Sequence, residues 1–342
     1  MTVKNVKIIF IFILSALFFS GCVKNVDLRE PASTRGEQAR EEKAQEQNVS
    51  SPGRAVDLVD KVGEPVTEIQ KPIRLLFVGD MMFDRHIREA VEKYGKGDYN
   101  YILEPIKESL SQYDLVVGNL EGPIIENESV SVATKMDERN NFIFTFDPNV
   151  AQVLAENNIK LVNLGNNHIL NQGAKGLEQT KKYLDEASME YFGNDKFLVR
   201  EIGGIRVGFV NYDYSNNNSE EKVVENIKTA KEQSDVVIVC PHWGVEYKTG
   251  DPGASIRALA RRFIDAGADA IIGTHPHVIQ TSEEYQGKKI YYSLGNFIFD
   301  QYFSRKTMEG LGVEVIINPD LSLGYNEVNF VMTKKGQTVL GQ

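Results

Sequence analysis

The residues best suited to do chemistry are polar side chains that directly follow short apolar runs. They include four of the five histidines in the chain, together with two carboxylates and one amide. In sequence order they are Asp80, Glu121, Asn167, His168, His242, His275 and His277. Because parallel strands present their carboxyl ends at one edge of a sheet, side chains that follow successive strands can converge on a single site.

This combination of side chains predicts a metal centre. Imidazole and carboxylate ligands together favour Mn, Zn or Fe, whereas Mg and Ca favour oxygen ligands alone. His275 and His277 are separated by one residue on a predicted turn, so their imidazoles can point at neighbouring ions. Each residue also has a simpler interpretation when it is considered alone. Asp80 could be a helix cap, Glu121 an exposed loop residue and His242 a packed, hydrogen-bonded histidine. Their recurrence at successive strand ends indicates a site for one or two divalent metal ions.

Alternating strands and helices must position these side chains. From Ile73 onward, apolar runs of strand length alternate with segments of helical periodicity, as in βαβ units. The predicted strands are 74–78, 114–118, 160–164, 205–212, 236–240 and 270–272, and the predicted helices are 101–112, 150–157, 173–187 and 256–266. Hairpin-linked strands follow at 289–293, 312–317 and 325–332. We therefore predict one α/β domain over 73–342, with a mixed sheet or two sheets between helices.

The N-terminus resembles a bacterial lipoprotein signal. A basic start precedes an apolar run at 8–19, which is followed by small residues and Cys22. The run has about 12 residues, fewer than the ~20 that span a bilayer. We expect a signal peptide at 1–22, lipidation of Cys22, and anchoring to the extracytoplasmic face of the cell membrane. Phe19 departs from the usual Leu, and the alternatives are an uncleaved anchor or an ordinary secretory signal, which also place the domain outside the cytoplasm.

A tether is expected between the signal and the domain. Residues 23–72 are rich in Glu, Gln, Lys, Arg, Ser and Pro and poor in large apolar side chains. Such a segment cannot bury enough surface to offset its ordering entropy, which predicts a disordered, solvated chain.

The charge and the cysteines exclude some classes of protein. The formal net charge of −10 argues against a nucleic-acid partner, because binding to a phosphate backbone requires clustered Lys and Arg. A small anionic substrate is still compatible, since a bound metal reverses the field locally. Cys22 and Cys240 occupy different settings, so we expect no disulfide framework, and Cys240 is predicted to be buried at a strand end.

Six sequence blocks resemble the ordered signature of the CapA family, which is associated with poly-γ-glutamate capsule synthesis. They span about 75–300, and their order makes the resemblance specific. The blocks are Gly79-Asp80-Met81-Met82-Phe83-Asp84-Arg85, Gly118-Asn119-Leu120-Glu121, Asn166-Asn167-His168, His242-Trp243-Gly244, Gly273-Thr274-His275-Pro276-His277 and Gly295-Asn296-Phe297-Ile298-Phe299-Asp300. The family is similar in turn to the calcineurin-like metallophosphoesterases. The resemblance implies a four-layer αββα metallophosphatase-like sandwich with mixed β-sheets that holds two metals.

The resemblance also implies roles for the residues that match the phosphoesterase pattern. His168 matches the histidine that contacts the phosphoryl group or protonates the leaving group. The implied metal ligands are Asp80, Glu121 and His277 for a first site and Glu121, Asn167, His242 and His275 for a second.

Two residues depart from the phosphoesterase pattern. Met82 stands where those enzymes have a histidine ligand, and Glu121 stands where they have a bridging Asp. Because a thioether is a poor ligand for a hard dication, the first site is expected to bind metal weakly or to remain empty. The resemblance therefore implies the fold and the ligands more directly than the reaction.

Several neighbouring residues have two interpretations each. Arg85 is expected either to hold an anionic substrate group through paired hydrogen bonds or to cap nearby carbonyls. Asp84 is predicted to cap the following helix, with orientation of a metal ligand as the alternative. Asn296 and Asp300 either position the histidine pair or belong to an ordinary turn. His86 is expected on a helix surface without a role.

The residues and the resemblance together predict an exported, metal-dependent hydrolase or phosphoesterase-like protein in capsule biosynthesis or export. Its expected partners are an anionic polymer, poly-γ-glutamate, or its phosphorylated precursor, and a membrane synthase complex. In this hypothesis His168 acts as general acid and Arg85 holds an anionic group. The alternatives are a non-catalytic component that binds the polymer or the synthase complex, and a secreted nucleotidase or phosphodiesterase.

Overall fold

A computed structural model of the chain describes residues 71–194, 196–215 and 219–341. The predicted signal peptide with Cys22, and the predicted tether up to residue 70, lie outside the described residues. Within these described ranges, no helix is both long enough and apolar enough to cross a membrane.

The first sheet has eight strands and carries the beginning and the end of the domain. Its order is β14-β13-β12-β1-β2-β3-β4, and β11 pairs with β1 beside this path. The central strand β1 is parallel to β2 and β11 and antiparallel to β12, so the sheet is mixed. Its strands are β1 (Ile73–Met81), β2 (Leu115–Leu120), β3 (Ile159–Asn163), β4 (Glu190–Phe192), β11 (Asn296–Ile298), β12 (Glu309–Ile317), β13 (Leu323–Met332) and β14 (Thr338–Leu340).

The second sheet has six strands in the order β5-β6-β7-β8-β10-β9. Strands β6, β7, β8 and β10 are parallel, and an antiparallel strand lies at each edge. The strands are β5 (Leu198–Ile202), β6 (Ile205–Asp213), β7 (Val236–His242), β8 (Ala270–Ile272), β9 (Ser282–Tyr285) and β10 (Lys288–Tyr291). Cys240 is buried in β7 as a free thiol, as predicted.

The helices form because amphipathic segments lie between the strands. In one of them, Val150, Ala151, Val153 and Leu154 are buried, which is the spacing of a single helical face. The hydroxyl of Ser219 accepts a hydrogen bond from Lys222 N at 3.2 Å and so caps another helix. The α-helices of the described residues are α1 (Arg85–Ala90), α2 (Lys107–Leu110), α3 (Asn149–Glu156), α4 (Gly173–Glu186), α5 (Glu220–Gln233) and α6 (Ala254–Asp265).

Three apolar cores show that the elements form four layers. Side chains alternate along β1, so Leu76 packs with α1–α4 while Leu75 packs against the second sheet. The second sheet alternates in the same way, with Phe209 in the core between the sheets and Val210 in the core against α5 and α6. The order is therefore helices, sheet, sheet, helices, and the predicted αββα sandwich is confirmed.

One predicted helix differs from the structure. Residues 101–112 do not form a continuous α-helix. They contain 3₁₀ turns that span Tyr99–Ile102 and Glu104–Ile106, followed by the short α2. Pro105 explains the break, because it has no backbone N–H to donate and disfavours the α conformation of the residue before it.

Candidate metal centre

Strand register aligns the polar residues into two rows at the carboxyl ends of the parallel strands. In the first sheet, Asp80 on β1 is level with Asn296 on β11 and Asn119 on β2. In the second sheet, His242 on β7 is level with Asp213 on β6 and bridges to Thr274. The two rows belong to sheets that share a core, so their side chains meet at one edge of the sandwich.

Gly79 allows β1 and β11 to approach closely enough to place Asp80. A Cβ atom at Gly79 would lie 1.9 Å from the carbonyl oxygen of Gly295. Because only glycine avoids this collision, the Gly-Asp pair at the end of β1 has a steric cause. The backbone N–H of Asp80 donates to that same carbonyl at 3.1 Å.

The centre contains a fully buried group of two carboxylates and one imidazole. Asp80, Glu121 and His242 each offer one ligand atom, and these atoms lie within 4.8 Å of one another. His277 joins the group, with Nδ1 at 3.2 Å from Asp80 Oδ2 and Nε2 at 3.6 Å from Glu121 Oε1. The structure therefore brings together the three residues of the first implied site.

A second set of ligand atoms converges on His242. Its Nε2 lies 2.8 Å from Asn167 Oδ1 and 3.2 Å from His275 Nδ1. The backbone N–H of His275 donates to Asp80 Oδ2 at 3.3 Å, which connects this set to the first. All six predicted metal ligands therefore lie in one cluster.

Asn119 lies at the centre of this cluster, and the sequence analysis gave it no role. Its Nδ2 lies 2.8 Å from Asp80 Oδ1, 3.4 Å from Glu121 Oε2 and 3.3 Å from His242 Nδ1. Asn166 Nδ2 donates to Asn119 Oδ1 at 3.1 Å and fixes the amide orientation. The available signal was its position two residues before Glu121, on the strand that pairs with Asp80.

The two carboxylates have opposite electrostatic environments. Burial opposes ionisation of Asp80, but hydrogen bonding to His277 and the nearby His277 and His242 rings lower its pKa to about 2. Burial and the negative charge of Asp80 raise the pKa of Glu121 well above its ordinary value. Two adjacent buried carboxylates therefore disfavour simultaneous ionisation unless a cation compensates them.

Burial lowers the pKa values of His168, His242 and His275. It lowers the pKa of His275 to about 4, with a further contribution from His277. It also lowers the pKa of His168 to about 4, against the hydrogen bond with Asn171. The pKa of His242 falls well below its ordinary value because of burial and the neighbouring His275. Neutral imidazole is the form that coordinates metal.

The hydrogen bonding of Glu121 indicates whether these residues suit a cation. Its Oε1 is buried, and among the described residues it has no hydrogen-bond partner. Buried acceptors without a partner are rare in native proteins and destabilise the fold by about 1–3 kcal/mol. A divalent cation bound by Asp80, Glu121 and His242 would satisfy this oxygen, so the donor set fits a metal.

The His-Pro-His turn is conformationally unusual. His275 and His277 both have positive φ angles, of 99° and 57°. Left-handed backbone at non-glycine residues costs about 1–3 kcal/mol and is concentrated at functional sites. The two strained residues are those whose imidazoles face Asp80 and His242.

His168 lies at the edge of the cluster rather than among the converging ligand atoms. Its Nε2 is 3.9 Å from Glu121 Oε1, and its Nδ1 is 3.2 Å from Asn171 Oδ1. The ring of Phe144 packs against it with centroids 4.3 Å apart. This placement directs Nε2 of His168 toward Glu121.

Arg85 is buried beside the centre and is already paired. Its Nη2 donates to Asp300 Oδ1 at 2.5 Å, and its Nη1 donates to Asn141 Oδ1 at 2.9 Å. Its guanidinium also stacks between the rings of Phe144 and Phe299, at 5.0 and 5.5 Å. The structure therefore places Arg85 behind two aromatic rings, one of which supports His168.

The other residues considered from sequence also have clear positions. Met82 is fully buried in the core against α1–α4, where its Sδ accepts a hydrogen bond from Asp84 N at 3.0 Å. Asp84 caps α1, as predicted. Asn296 Oδ1 lies 3.0 Å from His277 Nδ1 and so orients that ring. His86 lies on the surface of α1, as expected, next to Asp300.

Comparisons with known proteins identify the family of the chain. Residues 74–301, more than half of the chain, match the family model described as bacterial capsule synthesis protein PGA_cap. The capsule biosynthesis protein CapA of Bacillus anthracis is 31% identical over 258 residues, which cover 68% of this chain and 61% of that protein. The PGA biosynthesis protein CapA of Bacillus subtilis (strain 168) is 32% identical over 251 residues, covering 67% and 64%.

The matches cover only part of the length of these relatives. The chain spans a little over three-fifths of the curated Bacillus relatives it matches, 61% and 64% of their lengths. A probable polyglutamine synthesis accessory protein of Mycobacterium tuberculosis is 26% identical over 194 residues, covering 47% of this chain and 49% of that one. A solved structure of a phosphatase from Mycoplasma pneumoniae aligns with a TM-score of 0.46 and 14% identity, covering 76% and 94%.

Proposed function

Because the chain belongs to the bacterial capsule synthesis protein family PGA_cap, we propose that it acts in poly-γ-glutamate capsule biosynthesis or export as a metal-dependent hydrolase. The substrate we propose is the anionic polymer or its phosphorylated precursor. We also propose that the domain works beside a membrane synthase complex, on the extracytoplasmic face.

The chemistry follows from the residues of the centre. A divalent cation bound there would lower the pKa of a water molecule and polarise a phosphoryl or carbonyl oxygen. His168 directs Nε2 toward Glu121 and is neutral, because burial lowers its pKa to about 4. It can therefore accept the proton that the attacking water releases and then return it to the leaving group, which is its role as general acid.

The observation that carries the proposal is the buried Oε1 of Glu121, which accepts no hydrogen bond from the described part of the chain and lies within the Asp80–Glu121–His242 group. The test is the metal content of the full-length chain beside the double variant His242→Ala/His275→Ala. We expect stoichiometric Mn, Zn or Fe in the parent and its loss in the double variant. His86→Ala serves as the matched control, because His86 lies outside the cluster. Stoichiometric metal in the double variant would rule out the assignment.

Membrane anchoring through Cys22 is the second part of the proposal. It is supported by the basic start, the apolar run at 8–19 and the small residues before Cys22. Labelling with a radioactive fatty acid should disappear in Cys22→Ala and persist in Cys240→Ala, since Cys240 is buried. Unchanged labelling of Cys22→Ala would refute lipidation at this residue.

Met82 favours a second candidate function, a non-catalytic component that binds the polymer or the synthase complex. The position that holds a histidine in the phosphoesterases is here a core side chain, fully buried against apolar neighbours. Polymer binding without phosphatase, phosphodiesterase or amide hydrolase activity, in the presence of Mn or Zn, would favour this function over hydrolysis.

A further inference from the structure

A cavity of about 470 Å³ opens next to the metal centre, and none of the proposed metal ligands lines it. Arg85 and Asp300 form its floor, and both are more than nine-tenths buried. Its walls come from the loop that carries Lys135 and from residues that follow β7 and β11, including Tyr247 and Phe303. The cavity is therefore lined by four separate segments, which are the start of α1, the loop at 134–142, the region of Tyr247 and residues 300–303.

A hydrogen-bond chain joins this cavity to the centre. Gln301 Nε2 donates to the hydroxyl of Tyr247 at 3.1 Å, and Gln301 Oε1 accepts from Asn296 Nδ2 at 3.1 Å. Asn296 Oδ1 in turn lies 3.0 Å from His277 Nδ1. The ring of Tyr247 is also 6.1 Å from that of His277. A linear polymer bound at the metal centre would therefore place a neighbouring unit in the cavity.

The charge of the cavity favours an anion. The carboxylate of Asp300 is neutralised by Arg85 Nη2 at 2.5 Å and accepts further hydrogen bonds from His86. Lys135 also lines the cavity and is exposed. Among the described residues, no carboxylate forms an ion pair with its ammonium group. The lining thus contains two cations, Arg85 and Lys135, and one carboxylate, Asp300, in a chain of net charge −10.

Its rim is unusually apolar. Met136, Phe142, Tyr247 and Phe303 line the cavity with exposed fractions of 56%, 42%, 38% and 52%. Contiguous exposed apolar side chains of this kind mark ligand-binding or interaction sites. An anion without methylene groups, such as phosphate, would leave this rim unused.

We propose that this cavity is a subsite for one carboxylate-bearing unit of a linear polymer, adjacent to the linkage held at the metal centre. Lys135 binds the carboxylate, and Phe142 and Phe303 pack against the methylene groups of the same unit. This proposal rests on the proposed function, because the subsite is useful only if the polymer also binds at the metal centre.

The test is calorimetric binding of γ-linked tetraglutamate to the full-length chain, purified in mild detergent, with and without metal. Lys135→Glu should weaken binding on the order of tenfold, since it reverses a charge at the carboxylate. Phe303→Ala should weaken it about fivefold through lost apolar contact. Lys228→Glu, on the exposed face of α5, is the matched charge control and should stay within about twofold of the parent.

Two outcomes would overturn the subsite. One is tetraglutamate binding that Lys135→Glu leaves unchanged. The other is tripolyphosphate binding that is as tight as that of tetraglutamate and unaffected by Phe303→Ala, because the cavity would then recognise charge alone.

Failure of the proposed hydrolase function is distinguishable from failure of the subsite. Neither Lys135 nor Phe303 is a proposed metal ligand, so binding to the metal-free chain measures the cavity by itself. Lys135-dependent binding without metal uptake or turnover would refute hydrolysis and leave the subsite standing. Metal uptake and turnover, together with tetraglutamate binding that does not depend on Lys135, would refute the subsite and support hydrolysis.

Discussion

Acidic side chains lie at both ends of the parallel strands, but the two ends differ in how the carboxylate oxygens are hydrogen-bonded. At the amino ends, Asp114, Asp235 and Asp269 each precede a strand and accept a backbone N–H from the neighbouring strand, at 2.8, 2.8 and 2.9 Å. The backbone N–H of each of these residues donates back to the same neighbour, at 2.9, 2.8 and 2.8 Å. At the carboxyl ends, Glu121 has a buried oxygen that accepts no hydrogen bond from any described residue.

The pKa values follow this difference in hydrogen bonding. Burial opposes ionisation of Asp269, but hydrogen bonds from Lys231 and Lys288 outweigh it and lower its pKa. Burial of Glu121 and the negative charge of Asp80 raise the pKa of Glu121, and the opposing effect of Arg85 is smaller. Carboxylates that accept hydrogen bonds from neighbouring strands stabilise the sheets. A buried carboxylate oxygen that accepts none from the described residues destabilises the fold but is available to a ligand.

Glu121→Gln should give the largest effect and should act oppositely on binding and stability. Removing the charged ligand is expected to weaken metal binding by at least about 100-fold. The same change should raise the free energy of unfolding of the metal-free chain by about 1 kcal/mol, because no buried carboxylate remains next to Asp80. Elemental analysis and urea unfolding in the presence of a chelator measure the two effects. A destabilised metal-free variant would contradict the comparison.

Asp269→Ala should show the reverse pattern. It removes the acceptor for Val237 N and the partner of two lysines, so we expect a loss of about 2 kcal/mol in unfolding free energy. Metal content should not change, because Asp269 lies at the opposite end of the sheet. Asp137→Ala, at an exposed position, is the control for loss of one charge. Loss of metal from the folded Asp269 variant would break the separation between the two ends.

Asn119→Ala should have a smaller effect on the centre alone. Its amide contacts Asp80, Glu121 and His242, so its loss frees three ligand groups from a common orienting partner. We expect metal affinity to fall about tenfold, as is usual when a residue that orients ligands is removed. Metal titration of the variant measures this change. Unaltered affinity would show that strand register alone orients the ligands.

The pH dependence of stability should give the smallest difference. The lowered pKa of Asp269 means that its contribution to stability is fully present above the ordinary carboxyl pKa and is lost as pH falls through the lower folded value. Stability of the metal-free parent should therefore fall more steeply below about pH 4 than that of Asp269→Ala. Unfolding curves between pH 5 and 2.5 measure the slopes, and parallel slopes would assign the acid sensitivity to other groups.

The sequence was sufficient for features that depend on local pattern. The buried strands are nearly continuous apolar runs, so their ends could be located, and the polar residues that follow them could be expected to converge. The helix predicted over 101–112 was wrong, although Pro105 is a local signal against it. The spacing of Asp80 and the histidines therefore predicted a cluster before any contact was known.

Features that depend on register or distant contacts could not be predicted in this way. Asn119 becomes central only because it lies beside Asp80 in the pairing of β1 with β2. Arg85 and Asp300 are 215 residues apart in the chain, and nothing local indicates that they form an ion pair. The cavity near Lys135 likewise depends on four segments that meet only in the folded domain.

The position of β1 also determines when the site can assemble. Its first half pairs with β12 and its second half pairs with β11, so Asp80 is fixed by strands from the far end of the chain. A chain that ended at Tyr291 would contain all six proposed metal ligands but neither of these strands. Because such distant pairings form slowly, metal uptake should be a late event in folding, reserved for chains whose synthesis is complete.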